Sequence, residues 1–190
     1  MAKNIAKIKV GILGATGMVG QRFVTLLENH PWFNVACVAA SPNSAGKTYG
    51  QSVKGRWKMQ TKIPGNAGKL IVKRVEEDIG EICKEVDFVF SALDMDKQKI
   101  RKIEEAYASR GIPVVSNNSA HRWTADVPMI IPEVNPEHAK LIDIQRKNRK
   151  WKNGFIAVKP NCSIQSYAPI VKALERYSPK KVLVTTLQAV

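Results

Sequence analysis

The pentapeptide Asn161-Cys162-Ser163-Ile164-Gln165 gathers the residues best suited to covalent chemistry. An apolar run from Phe155 to Val158 precedes it and suits a buried strand. Lys159-Pro160-Asn161 breaks that run, and from Ser163 the apolar residues Ile164, Tyr167, Val171 and Leu174 follow a helical pattern. A cysteine between a strand end and a helix start lies beside unpaired N–H groups and the positive end of the helix dipole. Both favour the thiolate, the form that attacks an acyl carbon. The ordinary role of a cysteine is that of a small buried apolar residue. Here Asn161, Ser163 and Gln165 surround the sulfur with polar groups. Asn161 or Ser163 can cap the helix, and Gln165 can orient a carbonyl beside the sulfur.

A second stretch suits a phosphate-bearing ligand. Gly14-Ala15-Thr16-Gly17-Met18-Val19-Gly20 has the spacing G-x-x-G-x-x-G. It joins a strand expected over residues 7–13 to a helix expected over 21–29, with Phe23, Val24 and Leu27 inward and His30-Pro31 as the stop. Phe33 to Ala40 reads as the second strand. A strand–turn–helix–strand unit of this kind opens a doubly wound sheet, and the N–H groups of its turn can face a pyrophosphate. An acid after the second strand would hold a ribose 2′-OH. None is present between Val38 and Lys47. Ser41, Ser44 and Lys47 stand there instead and suit a 2′-phosphate, so the expected cofactor is NADP.

Further elements must carry these groups. Residues 48–68 are polar, basic and glycine-bearing, and read as a loop. A strand is expected over 70–75, a short helix over 76–84, and a buried strand over 86–93 whose end, Ser91-Ala92-Leu93, reaches the cofactor edge. Lys97 to Arg110 reads as an amphipathic helix with Ile100, Ile103 and Tyr107 inward, closed by Gly111. Ile112 to Ser116 is the next strand, Val127 to Ile131 a further apolar run, and a helix follows with Pro136 at its first position. Lys181 to Val190 begins another strand. The expected fold is α/β: a Rossmann-type doubly wound, mostly parallel sheet over residues 1–155. Residues 156–190 then hold the nucleophile loop and helix and the start of a second, α+β domain that is cut short.

Composition narrows the class. The chain has 190 residues, 44% of them hydrophobic, enough for a core. No apolar run approaches a membrane span and the first residues lack a secretory core, which points to a cytoplasmic protein with no membrane partner. Cys37, Cys83 and Cys162 have no metal-ligand spacing, so no metal is expected. Cys37 and Cys83 read as structural. The formal charge of +14 includes the basic run 146–152, read as a solvated face, and a looser group at Lys54, Arg56, Lys58 and Lys62. Such charge attracts phosphorylated small molecules as well as nucleic acid. No nucleic-acid-binding motif accompanies it.

Four ordered motifs resemble aspartate-β-semialdehyde dehydrogenases of the archaeal and fungal type. Gly14 to Phe23 is similar to the family's cofactor turn. Asn117-Asn118-Ser119 with Arg122 resembles its substrate-phosphate element, Val127 to Asn135 the segment that brings an asparagine to the same pocket, and Asn161 to Gln165 its nucleophile motif. The resemblance implies that Asn118, Ser119, Arg122, Asn135 and Asn161 bind substrate, with Arg122 on the phosphate. It implies that the Cys162 thiolate attacks the carbonyl of β-aspartyl phosphate and expels inorganic phosphate. NADPH then reduces the thioester to aspartate semialdehyde, a step in making the aspartate-derived amino acids lysine, threonine and methionine. Family members are homodimers or homotetramers. Their catalytic histidine and carboxylate-binding arginine lie further downstream, so the chain is expected to hold an incomplete active site, inactive alone. His30, His121 and His138 do not match that histidine and read as surface or capping residues. Malonyl-CoA reductase and N-acetylglutamyl-phosphate reductase share the layout, and a dinucleotide-binding module without catalysis is the non-enzyme alternative.

If the positive charge serves phosphorylated ligands, a random DNA duplex should bind no more tightly than micromolar at about 0.15 M salt. Fluorescence anisotropy checks this, and sub-micromolar binding would reopen a nucleic-acid role.

Overall fold

The computed structural model describes residues 6–187. Six parallel strands form one sheet in the order β3-β2-β1-β4-β5-β6. They are β1 (Ile8–Leu13), β2 (Phe33–Ala40), β3 (Val72–Arg74), β4 (Phe88–Ser91), β5 (Val114–Ser116) and β6 (Ile156–Val158). The order runs outward in both directions from β1, so the sheet reverses its winding between β1 and β4. That switch point is where a doubly wound sheet opens a ligand crevice.

The central strands β1, β2 and β4 are mostly apolar, and buried toward their C-terminal ends, because both faces of the sheet are covered there. Side chains of β2 alternate: Cys37 and Ala39 join one buried cluster, Val38 and Ala40 the other. The first cluster packs under α4 (Ile79–Glu85) and α5 (Lys97–Ser109) through Ile82, Ile100, Ile103 and Tyr107. The second packs under α1 (Met18–Leu26) through Val24 and Leu27. Helix α5 buries the residues its period marks, and Gly111 at φ +87° turns the chain into β5.

Residues 48–68 are not a loop. They hold α2 (Tyr49–Val53) and α3 (Gly65–Gly68), and Tyr49 and Val53 are fully buried. Thr48 and Gln51 form a capping box at the start of α2. Sparse apolar residues in a basic background hid this. Val127 to Ile131 does not form a strand and makes one parallel bridge, Met129 to Val158. Pro128 and Pro132 remove ladder donors there. Pro136 does open a helix, a 3₁₀ turn over Pro136–Lys140 that leads into α6 (Leu141–Arg149).

The basic run is solvated in part: Lys147, Lys150 and Lys152 are exposed, while its two arginines brace the fold. Arg149 pairs with Asp126 and Glu105, and Arg146 donates to the carbonyls of Asn153 and Gly154. Strand β6 pairs with β5, so the sheet continues past the boundary placed at residue 155. Helix α7 (Cys162–Ala173) follows and buries none of its residues. The strand expected from Lys181 is absent through residue 187, and the rest of that expectation lies outside the described residues. An extended segment needs a partner edge, and none pairs with it among the described residues. No helix among the described residues is long and apolar enough to cross a membrane.

Two glycines show how unequal the same substitution can be. A Cβ on Gly154 would lie 1.8 Å from the Ala108 carbonyl oxygen, whereas one on Gly80, inside α4, would meet nothing within 4 Å. Gly154→Ala should destabilise the chain by about 3 kcal/mol or more through backbone displacement. Gly80→Ala should stabilise it by about 0.5–1 kcal/mol. Urea unfolding of both variants checks the pair.

Candidate active site

The cofactor turn is shaped by two close approaches. Gly14 has φ +77°, and a Cβ there would lie 2.4 Å from the Ala92 carbonyl oxygen. A Cβ on Gly20 would lie 2.2 Å from the Gly14 oxygen, because α1 begins at Met18, inside the motif, and packs straight onto the turn. Gly17 is different. A Cβ there meets only the Gly14 oxygen at 3.5 Å, so its lack of a side chain leaves an opening on the cleft side. Gly14 and Ala15 donate to the Ala39 carbonyl, which ties the turn to the end of β2. The N–H groups of Met18, Val19 and Gly20 form the first turn of α1 and have no partner inside it. Met18 and Val19 are apolar yet exposed. These residues fit a pyrophosphate: N–H groups converge at a helix start and no side chain bars the approach.

Gly17, Met18 and Val19 line one wall of a cleft of about 390 Å³. Ala92 and Leu93, past the end of β4, line the next, and Asn118, Ser119 and Arg122, past the end of β5, line the third. Three motifs far apart in the chain therefore meet at the switch point. Asn117, the first residue of the expected element after β5, lines the same cleft, and so does Asp94, which was not among the expected residues. Asn118 Nδ2 donates to the Leu93 carbonyl, which straps the β5 exit to the β4 exit. Ala15 and Ser91 are fully buried beneath the cleft rather than on it.

Arg122 connects the cleft to the turn that carries Cys162. Its Nε donates to the Lys159 carbonyl and its Nη2 to the Pro160 carbonyl, both at 3.2 Å. Asn161 then caps α7: its Oδ1 accepts from Ser163 N at 3.0 Å and Ser163 Oγ at 2.6 Å. Cys162, exposed at the first position of α7, directs its Sγ to the same oxygen at 3.7 Å. Gln165 stands three residues on, on the same helix face. The half-buried Lys159 adds an unforeseen feature. Burial and the Arg122 charge lower its ammonium from the usual lysine value, and the neighbouring Cys162 acts in the opposite sense.

Other expected residues lie apart. Ser41, Ser44 and Lys47 follow β2 and do not line this cleft. Asn135 is also away from it. Its Oδ1 accepts from Ile131 N and its Nδ2 donates to the Met129 carbonyl, so its amide braces the 129–135 turn.

Below the β4 and β5 exits lies a buried polar cluster. Glu104 on α5 accepts from Ser116 Oγ at 2.7 Å, and Ser116 Oγ accepts from Asn118 N. His121 is 1% exposed and is not the surface residue expected. Its Nε2 lies 3.8 Å from Glu104 Oε2, and its Nδ1 meets Thr124 Oγ1 at 3.2 Å. Ser91 Oγ, Glu104 Oε2 and His121 Nε2 have no hydrogen-bond partner among the described residues. Burial raises the Glu104 carboxyl and lowers the His121 imidazole, so both are driven toward neutrality. No local pattern marks the pair, because α5 and the β5 exit meet only in the folded chain.

Similarity to known proteins gives the family. Residues 9–142 match the model described as "Semialdehyde dehydrogenase, NAD binding domain". The chain belongs to that family. It is 44% identical over 184 residues to an aspartate-semialdehyde dehydrogenase from Methanothermobacter thermautotrophicus, covering 96% of this chain and 50% of that protein. It is 39% identical to a malonyl CoA reductase (NADP) from Metallosphaera sedula, covering 96% and 49%. The crystal structure of aspartate semialdehyde dehydrogenase with NADP from Candida albicans superposes with a TM-score of 0.77 at 35% identity, covering 92% of this chain and 48% of that one. The chain thus spans about half the length of the relatives it matches.

Two measurements check the site. Burial pushes the Cys37 thiol up to about 12 and raises that of Cys83. Cys162 is exposed and should therefore be alkylated first by iodoacetamide near pH 8, with Cys83 next and Cys37 last; peptide mass spectrometry gives the order. Modification of Cys37 first would contradict the packing. His121, depressed by burial, contributes stability that is present above the ordinary value of about 6.5 and is lost as the pH falls below it. Glu104, raised by burial, acts in the opposite sense, so the check is a difference: from pH 7 to pH 5 the urea midpoint should fall further in the parent chain than in His121→Gln.

Proposed function

We propose that the chain is the cofactor-binding and nucleophile-bearing half of an NADP-dependent, phosphorylating aspartate-semialdehyde dehydrogenase. The observation that carries this is the bond from Arg122 to the Lys159 and Pro160 carbonyls. One guanidinium belongs both to the cleft beside the glycine turn and to the turn that presents Cys162. Residues through Val158 form the cofactor unit. Residues from Lys159 begin the catalytic and dimerisation unit of a homodimer or homotetramer, which agrees with an α7 that buries nothing within this chain.

The chemistry assigned to this chain is acyl transfer. The Cys162 sulfur attacks the carbonyl carbon of β-aspartyl phosphate. The C–S bond forms as the C–O bond to phosphate breaks, and inorganic phosphate leaves. Arg122 is positioned for the phosphate: its Nη1 is not taken up by the two carbonyls, and a guanidinium suits phosphate oxygens. Lys159 neighbours the sulfur, and a Cys162 thiolate would favour its ammonium against the burial and the Arg122 charge that lower it. Gln165, on the face of Cys162, orients the acyl oxygen, and Asn161 holds the turn. The cofactor, when bound, supplies the hydride that converts the thioester to the aldehyde. Gly17, Met18 and Val19 hold its pyrophosphate, Ala92 and Leu93 contact its nicotinamide half, and Ser41, Ser44 and Lys47 stand at its 2′-phosphate. Malonyl-CoA reduction is the second reading. It is favoured by the relative of that name and needs the same thiol and cleft.

The test uses the complete two-half enzyme. Cys162→Ser should keep NADP binding and lose phosphate-dependent oxidation of aspartate semialdehyde by at least about 10³-fold, since a serine hydroxyl stays protonated without a base. Arg122→Lys should raise KM for phosphate about tenfold, roughly 1.4 kcal/mol of lost fork geometry. Turnover of malonyl-CoA in place of β-aspartyl phosphate would select the second reading. Full activity of Cys162→Ser would exclude both.

A further inference from the structure

The 2′-phosphate end of the cofactor site contains a guanidinium that the reading of the β2 exit left out. Arg56 follows α2, eleven residues after Ala45 and nine after Lys47 in sequence, yet it folds back over Ser44. Its Nη2 donates to Ser44 Oγ at 3.0 Å and to the Ser52 carbonyl at 2.7 Å, and its Nε to the same carbonyl at 3.0 Å. Both acceptors are uncharged oxygens. Arg56 pairs with no carboxylate among the described residues. The chain also carries no Asp or Glu between Glu28 and Glu76.

The backbone of Arg56 is fixed from the other side. Gln21 on α1 is 2% exposed. Its Nε2 donates to the Thr16 carbonyl at 3.0 Å and to the Arg56 carbonyl at 3.1 Å, and its Oε1 accepts from Lys58 N at 2.8 Å. One buried amide therefore binds the glycine turn to the segment that carries Arg56. A buried amide with three hydrogen bonds is costly to misplace. Tyr49 adds a second tie through its hydroxyl to the Ala15 carbonyl at 2.9 Å. Arg56 is thus held between the turn that receives the pyrophosphate and the loop after β2, where the adenosine ribose of a doubly wound fold lies.

We propose that Arg56 grips the 2′-phosphate of NADP and, with Ser44, sets the preference for the phosphorylated cofactor; this rests on the reading that NADP is the cofactor. Ser44 aims the guanidinium, and Nη1, which makes no hydrogen bond among the described residues, takes the phosphate oxygens. Lys47, exposed and without a positioning contact, contributes charge rather than geometry. The competing role for Arg56 is to cap α2 through the Ser52 carbonyl. A cap would change stability and leave the choice of cofactor alone.

The experiment measures dissociation constants of NADP and NAD by fluorescence titration for the 190-residue chain and for Arg56→Met, Arg56→Lys and Lys47→Ala. Unfolding midpoints are recorded alongside. Arg56→Met should weaken NADP at least tenfold and change NAD less than twofold. Arg56→Lys should fall between it and the parent chain, since charge remains and the fork is lost. Equal loss of both cofactors in Arg56→Met, or a lower midpoint with unchanged selectivity, would overturn the proposal and leave the cap. If Arg56→Met does not fold, Arg56→Lys decides: unchanged selectivity there overturns the proposal. A parent chain that binds NAD as tightly as NADP would defeat the cofactor reading itself, and the proposal with it. A preference that persists in Arg56→Met but disappears in Lys47→Ala would overturn the proposal alone.

Discussion

At the end of β1 the backbone meets backbone with no room for a side chain. The position of a Gly14 Cβ is taken by the Ala92 carbonyl, and that of a Gly20 Cβ by the Gly14 carbonyl. Because α1 is pressed onto the turn in this way, its first N–H groups point into the cleft between the exits of β1 and β4 rather than into protein. The tie from Gly14 and Ala15 to Ala39 then sets the distance from this turn to the β2 exit. Every other part of the site is placed relative to these contacts.

From that origin the site is built by side chains that bridge strand exits. Asn118 joins the β5 exit to the β4 exit, and Arg122 joins the same segment to the turn after β6. Gln21 and Tyr49 do the same between the glycine turn and the α2 region. Most of these bridges end on backbone carbonyls. A carbonyl is available whatever residue carries it, so the bridging residue matters more than the identity of its partner.

The buried cluster of Glu104, Ser116 and His121 stands under the element that carries Arg122. Its cost is desolvation, which raises the acid and lowers the imidazole. Ser116 passes the restraint on to Asn118 N. This places a sparsely hydrogen-bonded polar cluster directly below the segment that follows β5, whereas the buried amides Gln21 and Gln145 elsewhere in the interior are fully engaged with backbone groups.

Local pattern was enough for the elements whose neighbours follow in sequence. The apolar runs of β1, β2 and β4, the period of α5, the stop at Gly111 and the glycine turn all rest on near-neighbour geometry, and the sequence determined them. The cap of α7 by Asn161 was legible for the same reason, since its acceptor serves residues two positions away. Tertiary structure decided the rest. It started α1 three residues early, because only the folded turn shows Gly20 under Gly14. It folded residues 48–68 into two helices, because Tyr49 and Val53 find their core across the chain. It turned Arg146 and Arg149 from surface charge into braces, and assigned Asn135 to its own turn. Gln21 reaches Arg56 across 35 residues, and Arg149 reaches Glu105 across 44. A polar side chain acquires its role from its partner, and partners that distant are brought together only by the packing of helices on the sheet.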